Sequence, residues 1–204
     1  MEAKERILVK SHELFNRYGI RSVSMDDIAA QLGMSKKTLY QYYTDKDDLV
    51  NAVFDTVLVT NKSQCTDCIR QGENAIHEVF LSFDMVEEML KNMNPSVMFD
   101  MQKYHPSAFK KFDDFRNGFL YKVIKANLER GIREELYRQE IDTEILSRYR
   151  LHSVLLSFSQ EVFPSNKSNL AYIEQQLLES FLFGLATPKG QKLIQKYKNQ
   201  RTKK

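Results

Sequence analysis

The side chains with chemistry to offer are few and scattered. Cys65 and Cys68 are the only cysteines and form a C-x-x-C pair. A structural zinc needs four nitrogen or sulfur ligands, and no second C-x-x-C or H-x-x-x-H completes the set. A thioredoxin-type dithiol wants the pair between a strand and a helix, and the stretch from Asn61 to Gln71 has no strand pattern. The two thiols read as helical or loop residues without a chemical task, with redox sensing or metal capture as the lesser alternative. His12, His77, His105 and His152 stand apart, and none pairs with a glutamate in H-E-x-x-H. G-x-S-x-G, a Walker loop and G-x-G-x-x-G are all absent. This pattern points away from an enzyme and calls for no cofactor or metal.

Charge is the next resource. Thirty Lys+Arg against 27 Asp+Glu leave +3, too even to argue for nucleic acid or membrane. Its distribution says more. In residues 1–50, Lys4, Arg6, Lys10, Arg17, Arg21, Lys36, Lys37 and Lys46 are matched one for one by Glu2, Glu5, Glu13, Asp26, Asp27, Asp45, Asp47 and Asp48. Residues 189–204 carry Lys189, Lys192, Lys196, Lys198, Arg201, Lys203 and Lys204 with no acid. That tail invites nucleic acid, but Leu193, Ile194 and Tyr197 make it a short amphipathic helix docked on the rest of the chain. Asn199 to Lys204 would then be frayed.

The elements that must position these groups are helical. Seven Gly and four Pro among 204 residues fall below the usual combined share of about 12%. So few breakers disfavour hairpin-rich folds and favour an all-α chain. No apolar run approaches the roughly 18 residues of a membrane span, and the opening Met-Glu-Ala-Lys-Glu-Arg does not resemble a signal peptide. A soluble, cytoplasmic protein without a membrane partner is expected.

Ile7, Leu8, Leu14 and Phe15 predict a helix over 3–18, with Gly19 following it. Ser24 is a good N-cap, and Asp26 and Asp27 fall in the first turn, where the dipole favours negative charge. Ile28, Ala29 and Leu32 form a short stripe ended by Gly33. Ser35 caps a third helix of about two turns with Leu39 and Tyr43 on one face. Thr44 or Asp45 caps a fourth, burying Leu49, Val50, Val53 and Phe54. A long helix, a short helix, a glycine turn and another short helix make a helix-turn-helix, whose second member enters the major groove. Lys36, Lys37 and Lys46 flank that second helix. A zero net charge therefore leaves room for a basic contact surface.

The run Ser24-Met-Asp-Asp-Ile-Ala-Ala-Gln-Leu-Gly-Met-Ser-Lys-Lys-Thr-Leu-Tyr-Gln-Tyr-Tyr-Thr-Asp-Lys-Asp-Asp-Leu resembles the DNA-binding signature of the TetR/AcrR family of transcriptional regulators. The likeness covers roughly residues 5–55, and Lys37 departs from it where many members carry glycine. It implies a helix-turn-helix domain over 1–46 and a larger helical effector-binding and dimerisation domain over 47–204. It further implies that Ser24, Tyr40, Tyr42 and Lys46 meet DNA phosphates, while Lys36, Lys37, Thr38 and Gln41 face base edges. The chemistry suits this: hydroxyls and ammonium groups donate to phosphate, lysine to guanine, glutamine to adenine. Tyr43 takes the family's buried aromatic position. The alternative is a helical ligand-binding or interaction protein whose helix-turn-helix does not touch DNA.

Beyond residue 55 the pattern stays helical. Asn94-Pro95 predicts a cap, Pro106 opens a long helix that Gly131 closes, and Asp142 caps one running to Phe163-Pro164. Asn166 or Ser168 starts another, ending before Thr187. Met85, Met89, Met93, Met98 and Met101 precede Tyr104, His105, Phe112, Phe115, Phe119 and Tyr121. Such a stripe is commonly core, but concentrated methionine also suits an adaptable pocket. The resemblance raises the pocket reading and an apolar or amphipathic effector. Tyr149, Leu155, Phe158, Leu177, Phe181 and Gly184 lie on helices too widely apolar for a single core. There the resemblance implies a two-fold homodimer. The whole reading is a repressor, released from a palindromic DNA operator by its effector.

Overall fold

The computed structural model describes residues 2–91, 93–159, 161–164 and 169–201, and every regular element among them is a helix. In chain order these are α1 (Ala3–Tyr18), α2 (Met25–Leu32), α3 (Lys36–Tyr40), α4 (Lys46–Gln71), α5 (Ala75–Lys91), α6 (Ser96–Tyr104) and α7 (Pro106–Phe115). A π-helical turn (Arg116–Leu120) leads into α8 (Tyr121–Arg133), followed by α9 (Thr143–Leu156), α10 (Leu170–Leu185) and α11 (Pro188–Arg201). The chain forms two compact units. One comprises Met1–Asn61 and Asn92–Phe115, the other Lys62–Lys91 and Arg116–Lys204, so α4 contributes to both.

The first unit is organised around one apolar cluster. Ile7, Leu14 and Phe15 of α1, Ile28 and Ala29 of α2, Leu39 of α3, and Leu49, Val50 and Val53 of α4 are buried in it. Val97 and Met101 of α6 and Ala108 of α7 join the same cluster. Gly19 closes α1 at φ 83 and Gly33 closes α2 at φ 64, conformations that an L side chain resists. Asp45, rather than Thr44, caps α4 by accepting the Asp48 N–H at 2.8 Å.

The second unit is held by a polar network beneath its apolar cluster. Arg130 donates to Glu78 at 3.0 Å, Glu134 at 2.7 Å and the Gly72 carbonyl at 2.9 Å. Glu134 in turn accepts the Ala75 N–H, and Asn127 donates to the Ala75 carbonyl. The turn between α4 and α5 is thereby stitched to α8, and its buried backbone groups find partners.

Four expectations are corrected by these helices. α3 spans five residues instead of two turns, because the Gln41 and Tyr42 N–H groups fold back on Thr38 and Leu39 in i→i+3 bonds. Gly131 lies inside the last turn of α8, which ends at Arg133; a Cβ there would sit 2.0 Å from the Tyr137 ring. Its role is close approach. α9 stops at Leu156, short of Phe163-Pro164. Of the proposed starts for α10, Asn166 and Ser168 lie outside the described residues, and Asn169 caps the helix through the Ala171 and Tyr172 N–H groups.

The tail helix docks as expected, with Ile194 and Tyr197 buried in the second cluster. Three of its charges are spent locally: Lys189 donates to the Glu134 carbonyl, Lys198 pairs with Glu179, and Arg201 pairs with Asp84 and Glu87. Arg201 is therefore anchored rather than frayed.

Replacing Gly131 by Ala should overpack α8 against Tyr137 and cost about 2 kcal/mol of stability. Thermal unfolding should show a Tm lower by several degrees.

Candidate nucleic-acid interface

The corner between α2 and α3 is built by local hydrogen bonding. Ser24 Oγ accepts the Asp27 N–H at 3.1 Å, while Asp27 Oδ2 accepts the Ser24 N–H at 2.8 Å. This reciprocal cap leaves Asp27 below the usual carboxylate range, chiefly through its bond from the Ser24 hydroxyl. After Gly33, Ser35 Oγ accepts the Thr38 N–H at 3.0 Å and starts α3. Leu39 and Tyr43 then bury themselves, at 0% and 2% exposure, and turn the opposite side of α3 outward. Burial raises the Tyr43 hydroxyl above its ordinary range.

Lys36, Lys37, Tyr40, Gln41 and Tyr42 all lie exposed on that outward side, with Ser24 exposed at the start of α2. Thr38 is half-buried, its hydroxyl 2.8 Å from Ser35 Oγ. Lys46 is turned inward and donates to the Ile20 carbonyl at 2.6 Å. Desolvation lowers its basicity, opposed by the charges of Asp100, Asp47 and Asp27.

A second set of contacts, invisible in the sequence, ties α6 to the loop between α1 and α2. Asp100, buried on α6, accepts the Arg21 N–H at 3.0 Å, and the Arg21 guanidinium donates to the Tyr104 hydroxyl at 3.1 Å. The Asn94 N–H reaches the Asn16 carbonyl at 2.6 Å, supplying a partner to the last turn of α1. His105 at the end of α6 bonds Asp47 in the first turn of α4. These partners are far apart in sequence and follow no helical period, so no pattern could have announced them.

Tyr104 and His105, expected among effector-contacting residues, thus serve as ties within the first unit. Met93, Met98, Met101, Phe112 and Phe115 belong to the same unit, with Met101 fully buried in its core and Met93, Met98 and Phe112 packed against it. Met85, Met89, Phe119 and Tyr121 belong to the second, where Met89 is exposed and Tyr121 bonds Glu144. None of these residues lines the open depression of about 480 Å³ bordered by Glu73, Asn74, Arg133, Leu136 and Lys189. Of the dimer candidates, Tyr149 and Gly184 are exposed, while Leu155, Phe158, Leu177 and Phe181 are half-buried. Cys65 and Cys68 lie on α4, and burial pushes the Cys65 thiol up to about 11. Such a thiol carries little thiolate at neutral pH.

Residues 7–53 match the model for bacterial regulatory proteins of the tetR family. Over 112 residues the chain is 32% identical to an uncharacterized HTH-type transcriptional regulator, YvaF, of Bacillus subtilis (strain 168), covering 54% of this chain and 58% of that one. The chain thus spans less than two thirds of that relative. Over 172 residues it is 27% identical to the HTH-type transcriptional regulator SAB2452 of Staphylococcus aureus (strain bovine RF122 / ET3-1), covering 80% and 81% of the two chains. Among solved structures it shares the fold of Thermus thermophilus FadR, a TetR-family transcriptional repressor in complex with lauroyl-CoA. That likeness has a TM-score of 0.56 and 19% identity over 90% of this chain and 95% of that one. Residues 7–53 thus form a helix-turn-helix of the tetR type, with Leu39 and Tyr43 buried and Lys36, Lys37, Tyr40, Gln41 and Tyr42 exposed.

Proposed function

We propose that the protein is a homodimeric repressor that leaves a roughly palindromic operator when an apolar or amphipathic effector binds. Residues 1–46 read DNA, and residues 47–204 carry effector binding and dimerisation. The observation that carries this reading is the exposure of Lys36, Lys37 and Tyr40 on α3 and of Gln41 and Tyr42 just after it, with Leu39 fixing the helix from behind. Lys36, Lys37, Thr38 and Gln41 meet base edges; Ser24, Tyr40, Tyr42 and Lys46 meet phosphates. Lys46 must leave the Ile20 carbonyl to do so, which makes its phosphate bond sensitive to the loop that α6 holds.

Dimerisation is supported by apolar side chains left uncovered in the second unit. Ile145, Tyr149 and Leu156 fall on one side of α9, at 63%, 58% and 39% exposure, and Tyr172 and Phe183 project from α10. A Cβ at Gly184 would meet nothing within 4 Å, so a partner helix can approach there. The concentration of methionine in the sequence between residues 85 and 101 is what favours an apolar or amphipathic ligand. The lauroyl-CoA held by the Thermus thermophilus protein is amphipathic, an acyl chain joined to a polar coenzyme. Ligand binding favours a conformer in which α6 shifts on α4, and the two recognition helices then no longer fit successive grooves.

Selection of bound sequences from a random DNA pool tests the reading directly and should return a palindrome with half-sites about one helical turn apart. Lys46→Ala should weaken binding similarly on all sequences and reduce the salt slope by about one unit. Gln41→Ala should relax one base position at a cost of roughly 1–3 kcal/mol. Tyr149→Glu should shift sedimentation from dimer to monomer at micromolar concentration and abolish cooperative operator binding. Effector affinity with and without operator should change by the same factor as operator affinity with and without effector. Met89→Trp should blunt that coupling while leaving operator binding intact.

A further inference from the structure

Helix-turn-helix proteins read bases with the first residues of their second helix, and α3 opens on two lysines. The structure treats them differently. Lys36 Nζ reaches across the corner to Asp26 of α2, 2.8 Å from Oδ1 and 3.0 Å from Oδ2. The same ammonium lies 5.9 Å from the centre of the Tyr40 ring. Among the described residues no carboxylate is paired with Lys37.

Asp26 lies in the first turn of α2, where the helix dipole favours a carboxylate, but no hydrogen bond of the cap uses it. The cap of α2 belongs to Ser24 and Asp27, and the Asp26 side chain is 62% exposed. It stands two residues from Ser24, on a surface proposed to face a polyanion, where a bare carboxylate repels phosphate. A negative charge in that place needs a local compensation, and Lys36 is it. The pairing also changes what Lys36 can do. An ammonium has three N–H donors on a flexible four-carbon stem, and unpaired it binds phosphate as a point charge without direction. Held against the Asp26 carboxylate, Lys36 keeps two N–H donors free and a restricted set of positions.

We propose that Asp26 is a specificity-determining residue: by holding Lys36 across the α2–α3 corner, it aims the ammonium at a base edge and keeps it from serving as a sequence-blind phosphate contact. The chemistry it selects is an acceptor pair in the major groove, such as guanine O6 and N7. Lys46 supplies the sequence-independent attraction. This inference rests on the reading of α3 as the recognition helix.

The test compares the full-length protein with Asp26→Asn, Lys36→Ala and the double variant. Each is used to select from a random duplex pool and is titrated against salt on the selected site and on a scrambled duplex. Asp26→Asn should lose discrimination, by about fivefold or more, at the same base pair as Lys36→Ala. It should also bind the scrambled duplex more tightly, with a salt slope steeper by about one unit. In the Lys36→Ala background, Asp26→Asn should change base preference no further. Because Asp26 is exposed and outside the cap, thermal unfolding should be nearly unchanged. Full retention of base preference by Asp26→Asn would overturn the proposal, as would an equal gain on all sequences in both backgrounds. If Lys36→Ala selects the same site with the same preferences as the unaltered protein, DNA reading stands and the role of Asp26 falls. If the unaltered protein selects no sequence at all, the proposed function fails and takes this inference with it.

Discussion

A helix of five residues cannot sustain itself in water, where even good helix formers need about 12–15 residues to be marginally stable. α3 exists because Leu39 is pulled into the first apolar cluster and Tyr43 follows it. Burying a leucine of this kind contributes on the order of 1.5–3 kcal/mol, against a net of about 0.5–1.5 kcal/mol for each hydrogen bond of the turn. The cap from Ser35 and the left-handed Gly33 set where the helix begins and how sharply it leaves α2. Ala29, buried at the same corner, leaves room for the two helices to approach. The outward side chains inherit their direction from these inward ones.

The loop between α1 and α2 depends on α6 in a similar way. Backbone groups of the loop and of the last turn of α1 have partners on a segment some 80 residues later: Asp100 for the Arg21 N–H and Asn94 for the Asn16 carbonyl. A Cβ at Gly19 would lie 2.5 Å from Ser96 Oγ, so the positive φ there serves close approach as well as helix termination. A buried carboxylate such as Asp100 is tolerated because a backbone N–H and the Ser96 hydroxyl both donate to it. Displacement of α6 would therefore be felt directly at the loop leading to Ser24.

In the second unit the balance differs. Arg130 and its carboxylates secure buried backbone, and the basic tail is largely neutralised where it docks, leaving Lys192 and Lys196 exposed on α11. Part of a strong local charge excess thus ends as intrachain pairing. The uncovered apolar groups of α9 and α10 stand apart from that pairing.

Much of this protein was legible in its sequence because capping and periodicity are local. The bounds of α1 and α2, the caps at Ser24, Ser35 and Asp142, the turn at Gly33, the burial of Leu39 and Tyr43, and the docking of Ile194 and Tyr197 all follow from neighbours within a few residues. Local signals misjudged Gly131, whose reason is the ring of Tyr137, and the end of α9. The sequence assigned Asp26 to the helix dipole and Lys46 to the surface. Only the fold showed Asp26 gripping Lys36 and Lys46 turned to Ile20. The ties of Asp100, Tyr104 and His105 were likewise decided by tertiary structure, since residues that meet through packing need share no spacing in the chain.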